Sequence, residues 1–179
     1  LLRSWIDAGR TPVPISVNVS RTYLKKFDAV NYIKKLVEDY RIPIELLQLE
    51  ITETTESEET ISYATGFKEA GFTLMMDDFG SGYSSLSMLK DTPFDVLKMD
   101  RFFLDECLDN ENGKSIVSHV ISMSNDLGLD IIAEGVETRE MADFLYDNGC
   151  AVSQGYYFSK PISVMEFEKL WDFIKEEQE

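Results

Sequence analysis

The stretch Phe72-Thr73-Leu74-Met75-Met76-Asp77-Asp78-Phe79-Gly80-Ser81-Gly82 decides the architecture of this chain. Five residues rich in apolar side chains run straight into two adjacent carboxylates and then into a glycine-rich loop, the pattern of a buried strand that ends at a functional face. Two side-by-side carboxylates repel each other, and a proton or a cation must relieve that repulsion. Neighbouring residues of a regular strand point to opposite faces, so Asp77 and Asp78 at a strand end can splay around one or two hard cations. Gly80 and Gly82 let the backbone turn sharply beyond them. On spacing alone the pair has two readings, a solvated turn and a metal site, and the rest of the chain has to separate them.

Outward from this strand the pattern repeats. Short apolar runs at 15–19, 46–51, 72–77, 96–99, 130–133 and 151–154 alternate with amphipathic segments, the signature of βα units and a parallel sheet. Helices are expected over 28–40, 57–69, 83–89, 113–127 and 138–147, with a last amphipathic helix over 164–175 whose Phe167, Leu170, Trp171 and Ile174 read as core packing. Three joints share one design: Gly71, Gly128 and Gly149 each end a helix and precede a strand, as left-handed helix stops do. The residues at or near the strand ends are Asn18, Glu50, Asp77 with Asp78, Lys98, Glu134 and Gln154. All are polar and four are carboxylates. The carboxyl ends of parallel strands form the functional face of barrels and open α/β sheets, so this set favours a metal-assisted active site over a solvated turn.

Composition narrows the chemistry. The 179 residues are 44% hydrophobic and 28% charged, which suits a single soluble domain, and no run approaches the roughly 20 apolar residues that span a bilayer. The N-terminus lacks the parts of a signal peptide and a starting Met, as a fragment of a longer protein would. Two cysteines, Cys107 and Cys150, are too few for a disulfide framework or a thiolate zinc site, and they read as reduced and cytoplasmic. The only histidine, His119, sits in an apolar helical stretch, so triad chemistry has no support. A net charge of −16 without a basic stripe argues against a nucleic-acid polymer. A small phosphate ligand is compatible with that charge if bound divalent ions invert it locally. Asp78-Phe79-Gly80 spells a kinase metal motif, but no His-Arg-Asp loop accompanies it, and no strand between Asp78 and Lys98 offers the phosphorylatable aspartate of a receiver domain.

The stretches Ser16-Val17-Asn18-Val19-Ser20, Leu49-Glu50-Ile51-Thr52-Glu53, Asp77 through Leu86, Leu97-Lys98-Met99-Asp100-Arg101, Ala133-Glu134-Gly135-Val136-Glu137 and Gln154-Gly155-Tyr156 resemble, in order, the EAL-domain phosphodiesterases that hydrolyse cyclic-di-GMP. The resemblance implies an α/β fold, a TIM-like (β/α) barrel of the EAL type. About six of its eight strands are present here, so the chain reads as one catalytic domain over 1–179 missing its first strands. The Glu-Ala-Leu stretch that names the family, with its metal-binding glutamate, is not among these residues. The resemblance further implies two Mg²⁺ or Mn²⁺ ions held by Asn18, Glu50, Asp77, Asp78 and Glu134, with Lys98, Glu134 and Asp78 catalytic. Glu137, Gln154, Asp100 and Arg101 would line the substrate site, and Glu53 would brace Ser84 to couple the loop after Asp78 to a dimer interface. Implied partners are a cyclic dinucleotide, a second copy in a homodimer and an upstream sensory or GGDEF-type domain, in a cytoplasmic domain that a membrane-anchored protein can carry. A degenerate domain that binds without cleaving is the alternative, and a pure interaction scaffold the third.

Overall fold

The computed structural model describes residues 1–20, 28–52, 58–81 and 85–176. Its spine is one parallel sheet of six strands in sequence order: β1 (Ile15–Asn18), β2 (Leu47–Thr52), β3 (Thr73–Phe79), β4 (Val96–Met99), β5 (Asp130–Ala133) and β6 (Val152–Ser153). All six expected strands are present. In-order parallel pairing is what right-handed βα crossovers build when each strand joins the edge left by the previous one. The described residues leave β1 and β6 as edges, and Val17 on β1 and Val152 on β6 are exposed.

The helices among the described residues are α1 (Leu2–Asp7), α2 (Ala29–Asp39), α3 (Glu58–Glu69), α4 (Ser85–Asp91), α5 (Arg101–Leu108), α6 (Glu111–Asp126), α7 (Arg139–Asp147) and α8 (Val164–Glu176). Short polar side chains start several of them by accepting a backbone N–H of the first turn. Asp28 accepts from Asn31 N, Asp100 from Phe102 N, Asn110 from Gly113 N and Thr138 from Met141 N. The three glycine stops behave as read, with φ of +97° at Gly71, +71° at Gly128 and +96° at Gly149. Leu49, Ile51, Leu74, Met76, Leu97 and Met99 of the central strands are fully buried against Phe67, Leu104, Val117 and Ile121 of the helices. This single core fixes the strand ends that carry the polar residues.

Three expectations change. Helices α1 and α5 lie where none was expected, and α5 begins directly after β4 because Asp100 caps it. The helix expected over 113–127 starts earlier, at Glu111, since Asn110 supplies its cap. Helix α8 is not a core helix: Leu170 and Ile174 are exposed, and it is anchored instead to the start of the chain. Trp5 stacks on Phe167, its indole N–H donates to Glu168 at 2.7 Å, and Arg10 makes two 3.0 Å bonds to the Asp172 carboxylate.

The sheet core predicts a sharp contrast between two leucines. Leu97→Ala, at a fully buried position, should lose about 2–5 kcal/mol in urea unfolding, whereas Leu86→Ala, whose side chain is largely exposed, should stay within about 0.5 kcal/mol of the parent.

Candidate active site

β4 delivers Lys98 into the interior, and the neighbouring strands deliver acids to it. The Lys98 ammonium lies 2.8 Å from Glu50 Oε1 of β2, 2.7 Å from Asp77 Oδ1 of β3 and 2.7 Å from Glu134 Oε1, one residue past β5. Lys98, Glu50 and Asp77 are all buried, with 5–7% of their surface exposed. Gln154, after β6, donates its amide to the same Glu134 Oε1 at 2.7 Å. Four adjacent strands thus place their polar ends on one point.

Asp77 and Asp78 reach this point through a β-bulge rather than by regular alternation. The register with β4 slips between Met76, opposite Leu97, and Phe79, opposite Met99, so β3 spends an extra residue there. Asp78 takes the left-handed conformation, φ +59°, which a non-glycine residue adopts at a cost of about 1 kcal/mol or more. The bulge leaves Asp77 buried against Lys98 and Asp78 half-buried beside it.

Charge does not balance in this cluster. One ammonium faces three carboxylates, and Asp78 adds a fourth nearby. Burial works against the Lys98 charge, but its hydrogen bonds to Asp77, Glu134 and Glu50 outweigh that and raise its pKa well above the ordinary lysine value. Burial pushes the Glu134 carboxyl up; contact with Lys98 pulls it down, and the charges of Asp77 and Glu50 push it up again. Asp78 is raised by burial first, then by the negative charges of Asp77 and Asp100. Among the described residues no three acidic, histidine or cysteine side chains are already set around an open centre as a metal cage. The acids converge on an ammonium nitrogen instead. Their oxygen donors and surplus negative charge are the donor chemistry of a hard divalent cation, so the residues fit such an ion.

The other expected residues sit around this centre. Asn18 is exposed at the end of β1, in register with Glu50, and Val19 N donates to Glu50 O at 2.8 Å. Arg101 and Glu137 form an ion pair at 2.6 Å and, with Gln154, border an open cleft of about 610 Å³. Asp100 caps α5. Glu53 and Ser84 lie outside the described residues. Motif reading missed Lys160, which lines the same cleft and lies over the Tyr156 ring, 5.6 Å from its centroid; no local sequence signal marks it. His119 hydrogen-bonds to Ser115 O in its own helix, far from this chemistry in role, and both cysteines are free thiols.

The EAL domain family model matches residues 1–161. The chain belongs to the EAL domain family. The EAL domain of Mycobacterium smegmatis DcpA, solved by crystallography, superposes with a TM-score of 0.85 at 37% identity, covering 94% of this chain and 77% of that one. The cyclic di-GMP phosphodiesterase NbdA of Pseudomonas aeruginosa is 34% identical over 171 residues, 94% of this chain and 22% of NbdA. A manganese and cyclic-di-GMP complex of Klebsiella pneumoniae BlrP1 superposes at a TM-score of 0.79 with 29% identity, covering 89% of this chain and 41% of that one. The chain spans 21–24% of the length of the first curated relatives it matches. Its sheet is therefore part of the TIM-like barrel of EAL domains. No helix among the described residues is long and apolar enough to cross a membrane.

Lys98→Met would leave the buried acids of this EAL site without their cation. Breaking such a cluster should cost about 3–5 kcal/mol at pH 7. A carboxyl whose folded pKa exceeds its unfolded one, as at Glu134, weakens the fold fully above the folded value, and the penalty is relieved as pH falls from that value to below the unfolded one. The Lys98 contribution is whole below the ordinary lysine pKa and fades only as pH climbs through the raised value. Removing the ammonium removes the contact that pulls Glu134 down, so urea unfolding should show the Lys98→Met deficit shrinking as pH falls below 7, with a larger gain in the variant than in the parent chain.

Proposed function

We propose that residues 1–179 form one EAL-type catalytic domain, lacking its first strands, which in the whole protein hydrolyses cyclic-di-GMP to linear pGpG. The observation that carries this reading is the convergence of Glu50, Asp77 and Glu134 on Lys98, with Asp78 beside them, at the carboxyl ends of four parallel strands. Asn18, Glu50, Asp77, Asp78 and Glu134 would hold two Mg²⁺ or Mn²⁺ ions. Such a pair lowers the pKa of an attacking water and neutralises phosphate charge.

The chain's own residues supply the rest. Lys98, kept cationic by its acidic neighbours, is a hydrogen-bond donor for the attacking water or for a phosphoryl oxygen that gains charge in the transition state. Glu134, whose pKa burial raises, can take a proton from that water at its carboxylate, and the Gln154 amide holds it in place. Arg101, Glu137 and Gln154 border the cleft where the dinucleotide would lie, with Asp100 anchoring the helix that presents Arg101. Release of pGpG breaks one P–O bond and adds one water. We further assign the domain to the cytoplasm, to a homodimer coupled through Glu53 and Ser84, and to a longer protein with a sensory or GGDEF-type domain upstream.

A second reading, binding without turnover, is favoured by one feature: the 179 residues hold no Glu-Ala-Leu tripeptide, so one family ligand is not supplied by them. The two readings part in a single assay. The domain with its upstream strand, given Mn²⁺ and cyclic-di-GMP, should yield pGpG on chromatography, and Asp78→Asn or Lys98→Ala should cut turnover by about 10²-fold or more with the circular dichroism spectrum unchanged. Tight cyclic-di-GMP binding in calorimetry with no pGpG would establish the receptor instead.

A further inference from the structure

The first turn of α5 is wedged between the two loops that carry the acids. Gly80, two residues past Asp78, has φ +95° and no side chain, and the Phe103 ring fills the space where one would stand: an added Cβ would come within 2.6–2.8 Å of Phe103 Cγ, Cδ2 and Cβ. Phe103 also meets Phe79 edge-on, with ring centroids 6.0 Å apart. On the other side of the same turn, Gly135, one residue past Glu134, has φ +67°, and an added Cβ would come within 2.4–2.5 Å of Arg101 Cβ and Cγ. Backbone bonds complete the seam. Asp100 N donates to Phe79 O at 3.1 Å, Glu134 N to Met99 O at 3.0 Å and Ser81 N to Asp78 O at 3.1 Å. A left-handed aspartate in a bulge persists only where its surroundings over-determine it, and the Phe103 ring packs on that bulge's exit.

We propose that Phe103 is a positioning residue: its ring, lodged on Gly80, holds the Asp77–Asp78 bulge in the left-handed form that aims Asp78 at the metal site. This rests on the reading of Asp78 as a metal ligand, and it adds an outer-shell contact made by packing instead of by a hydrogen bond. Because α5 follows directly from the strand of Lys98, one rigid turn sets lysine and bulge relative to each other.

The test uses the 179-residue chain with Phe103→Ala, Phe103→Tyr and, as a control on the same helix, Phe102→Ala, whose side chain is 68% exposed. Two readouts separate the wedge from the metal assignment. In hydrogen exchange without metal, the Phe103→Ala amides of Gly80 and Ser81 should lose about tenfold protection while the β4 and β5 amides keep theirs, a local opening and not a global one. In Mn²⁺ calorimetry, Phe103→Ala should weaken binding about tenfold, the scale of losing an outer-shell support. Phe103→Tyr should restore both, and Phe102→Ala should change neither. Unchanged protection at Gly80 and Ser81 in Phe103→Ala, or an equal loss in Phe102→Ala, would overturn the wedge. Local loss of protection in a chain whose Mn²⁺ uptake is absent, or is indifferent to Asp78→Asn, would uphold the wedge and overturn the assignment of Asp78 as a ligand.

Discussion

A buried ammonium among three carboxylates is the constraint on which this molecule turns. Glu50, Asp77 and Glu134 come from three different strands, and each would be costly to bury alone. Lys98 makes their burial possible and ties the ends of β2, β3, β4 and β5 to one point. The core beneath, Leu49, Leu74, Leu97 and Ala133, sets the strand spacing that lets the four side chains meet. The balance is incomplete. Negative charge is left over, and that surplus is what the proposed metal site rests on.

The bulge at Asp77 and Asp78 is the second consequence. A regular strand would send the two carboxylates to opposite faces of the sheet, one toward the helices. The slipped register and the left-handed Asp78 keep both on the functional side. Strain of this sort has to be held by its neighbours, and the close packing of α5 against Gly80 and Gly135 provides a rigid support on both flanks.

Much of this was legible in the residues. The strand centres follow from apolar runs bounded by glycine stops, and the polar strand ends identify the functional face, because both signals are local. Tertiary effects were not legible. Asp100-Arg101 reads as part of a ligand motif, so the cap that starts α5 one residue after a strand passes unseen, and with it Phe103. The spacing of Phe167, Leu170, Trp171 and Ile174 is amphipathic, yet periodicity cannot say what an apolar face packs on. In the fold Phe167 stacks between Trp171 and Trp5 of the other end of the chain, while Leu170 and Ile174 are exposed. The bulge is equally silent in sequence, since Asp-Asp before Phe-Gly fits a regular strand end as well.

Diffraction from crystals of this chain grown with Mn²⁺, recorded at the manganese absorption edge, tests the central claim most directly. The account predicts anomalous peaks bounded by Glu50, Asp77, Asp78 and Glu134, with the acids drawn partly away from Lys98. Crystals that show no such peak, with all three carboxylates still closed on the lysine, would contradict it.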